Sequence, residues 1–152
     1  MPVRTPKKRQ RRHYSGKKKR HTQKAQVICD KKTGKIIATA FCEGKKSDFA
    51  LFKQSHTVLS LNVFCLADSG YQGLEKQHAS SKTPKKKSKH HPLTDEEKAC
   101  NREISRQRIG CEHVIGRLKV FRILLERYRN RRKRFALRFN LIAAICNREV
   151  GD

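Results

Sequence analysis

Residues 23–43, QKAQVICDKKTGKIIATAFCE, read as two strands around a turn. The β-branched and aromatic residues at Val27, Ile28, Ile36, Ile37, Thr39 and Phe41 favour extended backbone. Between them, KKTGK carries the Thr33-Gly34 pair that suits a tight connection. Strands are therefore expected over 24–29 and 35–42, antiparallel and joined as a hairpin. Everything else is placed relative to this hairpin.

Downstream, SDFALFKQS (47–55) opens with Ser47 and Asp48 before spaced apolar residues, a helix N-terminus. In NVFCLADSGYQG (62–73), Val63 to Ala67 form an unbroken apolar run. Such a run predicts a third strand over 62–67, buried on both faces and ending at Asp68 and Gly70. Residues 79–94, ASSKTPKKKSKHHPLT, are poor in apolar residues and hold two prolines, so they read as a basic loop. Thr94 with Glu97 three residues on makes a capping box, and Asp95 and Glu96 suit a first helical turn. The helix this opens is expected to reach about Leu125, with a break near Gly110 or Gly116, and its 110–125 part to pack on the sheet. A last helix places Phe135, Phe139, Ile142, Ala143 and Cys146 on one face. The order of strand, strand, helix, strand and helices is a mixed α/β pattern.

Upstream of the hairpin, residues 1–22 are basic and polar and by themselves read as an arm. The whole chain of 152 residues carries 38 Lys and Arg against 13 Asp and Glu, a formal charge of +25. A surface of that sign binds polyanions by releasing their counterions, so nucleic acid is the leading partner. No apolar stretch is long enough to span a bilayer, and residues 1–12 have charge without the apolar core of a signal peptide. The six cysteines form no C-x-x-C pair, which argues against a zinc site. They read as reduced, small apolar residues of a cytoplasmic protein.

The acids are few enough to weigh one by one. Asp95, Glu96, Glu97 and Glu103 suit a solvated helix face, and Asp30 a turn. Asp68 and Glu112 remain. Asp68 follows the expected buried strand, where it is either a turn cap or a rigidly held carboxylate, with Gly70 leaving room for a ligand. On a helix, Arg108, Glu112 and Lys119 fall within an arc of about 40°. That spacing permits an ordinary Arg108–Glu112 ion pair as readily as a site.

Four separated segments, YSGKKKRHTQK (14–24), EGKKSDFALFK (43–53), LADSGYQG (66–73) and LTDEEKACNREISRQRIGCEHVIGRLKVFRIL (93–124), resemble in the same order the insertion-sequence transposases of the DDE superfamily. The family pattern around its last carboxylate is an Arg, three residues, a Glu, six residues and a Lys, matched here by Arg108, Glu112 and Lys119. Some members carry a Tyr three positions before the Arg, where this chain has Ser105. The resemblance implies an RNase H-like α/β fold in which Asp68 is the second and Glu112 the third catalytic carboxylate, both binding metal. It implies metal-dependent cleavage and transfer of DNA strands, with magnesium or manganese as a two-ion site.

The family's first Asp lies on a strand just before a Pro- and Lys-rich segment, and residues 1–22 look like that following segment. No acid precedes Asp30. The implied organisation is a basic segment over 1–22 and, over 23–152, an RNase H-like domain truncated at its N-terminus, without the first strand. Its missing half would come from an upstream segment, and assembly with itself is a further option. Lys17, Lys18, Lys19, Arg20, Lys85, Lys86, Lys87 and Lys89 are expected to hold DNA phosphates, with Arg108 and Lys119 near the reacting phosphate. A catalytically inactive, basic nucleic-acid-binding remnant is the alternative, and a cytoplasmic, nucleoid-associated location follows from either.

Overall fold

The computed structural model describes residues 1–3, 10–88, 92–129 and 132–151. A short helix α1 (Gln10–His13) leads into a two-strand hairpin, β1 (Tyr14–Ser15) with β2 (Arg20–His21). The expected central hairpin follows as β3 (Gln23–Cys29) and β4 (Ile36–Glu43), antiparallel with Gln23 opposite Glu43 and Val27 opposite Thr39. Its turn is set by Asp30, whose carboxylate accepts hydrogen bonds from the Lys32 and Thr33 amides and the Thr33 hydroxyl. Gly34 completes the turn at φ +66°, a left-handed conformation that costs glycine little.

Helix α2 (Asp48–Gln54) starts at Ser47, whose side chain accepts the Ala50 amide at 3.1 Å. Thr94 and Glu97 form the expected reciprocal capping box on α3 (Asp95–Val120). This helix runs unbroken through Gly110 and Gly116, contrary to the expected break there. Both glycines face open space, so each costs only the roughly 1 kcal/mol of helix propensity that separates Gly from Ala. The interruption comes instead at Phe121, in extended backbone, before the single turn α4 (Arg122–Leu125). Helix α5 (Phe135–Glu149) buries the five residues expected of it.

One expectation fails in a way that matters. The third strand is only β5 (Cys65–Leu66), paired in parallel with β6 (Ser81–Lys82). Val63 and Phe64 are 48% and 56% exposed, so this run is not buried on both faces. The chain therefore has three separate two-stranded sheets among its described residues rather than one mixed sheet. The apolar run lacks a neighbour on one side, and without it the exposed edge cannot extend its pairing. The segment read as a basic loop is also partly structured. It begins with β6, and the Asn101 side chain clamps Lys85 through both its N–H and C=O.

The core joins Val3, Ile36, Val114, Leu118, Leu124 and Tyr128 to the buried face of α5. Phe135 is its centre, edge-on to Phe41 and Tyr128. Asn147 of α5 holds the start of β4 by accepting the Ile36 amide at 2.7 Å and donating to its carbonyl at 2.8 Å. Val3 is 2% exposed and bonds His21, so the opening residues pack into the body of the protein. Thr94→Ala removes the cap of the longest helix and is expected to lower stability by about 1 kcal/mol. Urea unfolding would read this as a lower midpoint at unchanged slope, with Thr94→Ser largely restoring it; equal midpoints would dismiss the cap's role.

Candidate functional site

A groove of about 1300 Å³ opens between β3, residues 63–68 and the α3 face that carries Arg108, Cys111, Ile115 and Leu118. Its lining joins apolar side chains such as Phe52, Leu66 and Ile115 to Lys17, Lys18, Lys24, Lys45, Lys46 and Lys119, with Asp30, Asp48 and Asp68 among them.

Asp68 stands two positions past β5 and caps the 3₁₀ turn Ser69–Tyr71, taking the Ser69 amide on Oδ1 at 2.6 Å. Arg108 Nη1 lies 3.7 Å from the same oxygen, and the Arg108 side chain is only 19% exposed. The guanidinium thus reaches from α3 across to the strand end, and no Arg108–Glu112 ion pair is found among the described residues. Gly70 does not open a path for a ligand. Any Cβ there would collide with the Asp48 carboxylate, so the glycine lets the 3₁₀ turn pack on α2. Asp48 is in turn held by Lys24 at 3.0 Å.

Glu112 is exposed, one helical turn beyond Arg108, and does not line the groove. It lies close enough to Cys111 to oppose ionisation of that thiol. Cys111 and Cys29 meet where α3 crosses β3. Their mutual hydrogen bond, helped by Arg108, lowers the Cys111 thiol to about 7, while the Cys29 thiol is pushed up by the same bond and by burial. Tyr71 is kept protonated by burial and by Asp48 and Asp68, and its hydroxyl donates to Gln26 Oε1 at 3.4 Å. Gln26 is 4% exposed, and its Nε2 is buried without a partner. Gln26 is not among the residues the sequence singled out, although an amide flanked by the apolar Ala25 and Val27 in an expected strand was the available signal.

The structure divides the expected phosphate-binding residues. Lys17, Lys18, Lys19 and Arg20 all lie exposed on the β1–β2 hairpin, with Lys17 and Lys18 reaching the groove. Lys119 lines the groove and is exposed, and Arg108 is engaged with Asp68. Lys85 ion-pairs with Glu97 at 2.9 Å, which raises its pKa, so it is not a free cation. Lys86 and Lys87 are exposed, and Lys89 lies outside the described residues.

Among the described residues no three His, Cys, Asp or Glu side chains gather as a metal site. Two carboxylates, one of them already bearing an arginine, do not by themselves fit a two-ion centre. No helix among them is long and apolar enough to cross a membrane.

Residues 1–147 match the family model described as "DDE superfamily endonuclease". Over 150 residues, 99% of its length, the chain is 48% identical to the "Probable transposase for insertion sequence element IS702" of Microchaete diplosiphon, of which this covers 54%. It thus spans about half the length of that relative. No solved structure matches it.

Proposed function

The chain belongs to the DDE superfamily endonucleases, the family of insertion-sequence transposases, and from that premise we propose that it is the part of an RNase H-like catalytic domain carrying the second and third carboxylates, Asp68 and Glu112. The observation that carries this reading is Arg108. Its guanidinium ties the strand end bearing Asp68 to the helical turn that precedes Glu112, beside a groove lined in part by lysines. The substrate is DNA, approached through its phosphates, and the completed domain cleaves and transfers strands with magnesium or manganese. The first carboxylate is supplied by a segment other than residues 1–152. In this arrangement Arg108 balances the charge of Asp68, Asp68 and Glu112 would hold the divalent cations that activate the attacking oxygen, and Lys119 would neutralise phosphate along the groove.

The absence of a three-ligand cluster among the described residues favours a second reading, a basic nucleic-acid-binding protein without cleavage. Nicking of supercoiled plasmid by the completed domain separates the two. Binding is common to both and is tested first. Fluorescence anisotropy with duplex DNA is expected to show affinity that falls steeply with salt. Replacing Lys17, Lys18 and Lys19 together by Ala should reduce the slope of log K against log salt by up to about three, one per phosphate contact. An unchanged slope would remove the β1–β2 hairpin from the interface.

A further inference from the structure

Six cysteines are spread through the chain, and the fold brings two of them together. On α3, Cys111, Val114 and Leu118 recur at helical spacing, and Val114 and Leu118 are 1% and 3% exposed. That stripe packs on the face of β3 that carries Ala25, Val27 and Cys29, all three turned to the same core. Cys111 stands at the start of the stripe and Cys29 at the end of the strand, so the two meet at the margin of the core. Their sulfurs lie within hydrogen-bonding reach, thiol to thiol. Arg117, also on α3, fixes the alignment by donating to the Gly34 carbonyl at 2.7 Å, in the turn that follows Cys29.

The remaining thiols are placed otherwise. Cys42 and Cys146 are 6% and 1% exposed. Cys65 belongs to β5, across the groove, and Cys100 lies about three turns earlier on α3. Cys29 and Cys111 are only partly buried and both line the groove, so a small solute in the groove reaches them. Two thiols in contact, open to solvent and held by separate rigid elements, are arranged for oxidation to a disulfide. The second sulfur already stands beside the first when the first is oxidised.

We propose that Cys29 and Cys111 form a redox-responsive dithiol, oxidised by hydroperoxides to a disulfide that bolts α3 to β3 beside Arg108 and Glu112. With hydrogen peroxide, one thiol sulfur attacks, the O–O bond breaks, and the sulfur keeps one oxygen as a sulfenic acid while the other oxygen leaves as water. The second sulfur then displaces that hydroxyl, which departs with the second thiol's proton as another water, and the S–S bond forms. Two electrons pass from the sulfurs to the peroxide, so two thiols and one hydrogen peroxide give one disulfide and two waters. A dithiol reductant reverses the change by exchange. Where the surroundings keep thiols reduced, such a bond is transient and answers to oxidant rather than serving as a permanent staple. The linked residues are about 80 positions apart, and closing so long a loop restricts the unfolded chain, so oxidation stabilises the fold. Any effect on strand cleavage rests on the function proposed above for Asp68 and Glu112, whereas formation of the bond does not.

Residues 1–152, reduced and then freed of reductant, are treated with hydrogen peroxide, alkylated and digested with trypsin without further reduction. The expected product joins the peptide 25–31, AQVICDK, to the peptide 109–117, IGCEHVIGR, and dithiothreitol removes it. Links through Cys42, Cys65, Cys100 or Cys146 should be rarer by about tenfold or more. The thermal midpoint of the oxidised protein should rise by several degrees and fall back on reduction. In Cys29→Ser, Cys111 should stop at a sulfenic acid that dimedone traps, and the midpoint should no longer respond to peroxide. Cys29→Ala should behave in the same way, which guards against a fold lost to either substitution. In concentrated urea the preference for this one link should vanish. A link from Cys111 to Cys65 instead, oxidation of Cys111 with Cys29 left free, or an oxidised protein no more stable than the reduced one would overturn the proposal. The same pattern of links in urea would overturn it too, since the fold would then not be what pairs the thiols. Plasmid nicking enters none of these measurements, so failure of the nuclease reading would show separately.

Discussion

In a polypeptide that also supplies the family's first carboxylate, Asp68→Ala is expected to abolish metal-dependent plasmid nicking, and Glu112→Ala to do the same. Residues 1–152 alone are expected not to nick. Loss of one ligand from a two-ion centre removes about 4 kcal/mol or more of transition-state stabilisation, roughly a thousandfold in rate. The structure gives a reason to expect the isolated chain to be silent. Asp68 spends one oxygen on the Ser69 amide and has Arg108 at 3.7 Å, while Glu112 stands exposed outside the groove. Arg108→Ala separates a positioning role from a cap. If Arg108 only steadies Asp68, its loss should weaken cleavage while leaving the thermal midpoint nearly unchanged, as expected for a rim ion pair. Metal-dependent nicking by residues 1–152, abolished by Asp68→Ala, would show that two carboxylates suffice.

Local chemistry made much of the fold legible. The turn at Asp30 to Gly34, the Ser47 cap and the Thr94–Glu97 box are each decided within five residues, and each stands where the sequence put it. The buried face of α5 follows from its 3.6-residue period. What failed depended on partners distant in the chain. The run from Val63 to Ala67 has the composition of a central strand, yet only Cys65 and Leu66 pair, because a strand's length is set by its neighbours and one side has none. Phe121 ends α3 and neither glycine does, since Gly110 and Gly116 face outward and nothing presses on the helix there.

The site was legible by resemblance more than by physics. Asp68 behaves locally as a cap, and the cap alone would explain it. Its contact with Arg108, forty positions away in sequence, is what lifts it above that. Lys85 shows the reverse error, for charge density cannot reveal that Glu97 holds it from within the adjoining helix. Gly70 shows another. Read as room for a ligand, it is room for Asp48.

The same distinction between local period and distant packing gives the largest expected loss of stability. Phe135→Ala should cost about 3–5 kcal/mol, the range for a buried aromatic replaced by Ala. Phe135 is fully buried, meets Phe41 and Tyr128 edge-on and lies beside Phe139, so truncation leaves a cavity lined by three rings that backbone elements pin in place. Phe41 belongs to β4, which Asn147 tethers to α5, and the Tyr128 hydroxyl accepts from Arg138 at 2.8 Å. The walls therefore have little freedom to collapse, which points to the upper part of that range. Since a domain holds only about 5–15 kcal/mol in all, one such change removes a large share. Leu137 lies on the same helix, two residues on, and is 60% exposed; Leu137→Ala should stay within about 0.5 kcal/mol. Urea unfolding of both variants measures the contrast. Comparable losses from the two would mean that α5 presents a different face to the core, and the arrangement of β4 and Tyr128 around it would have to be redrawn.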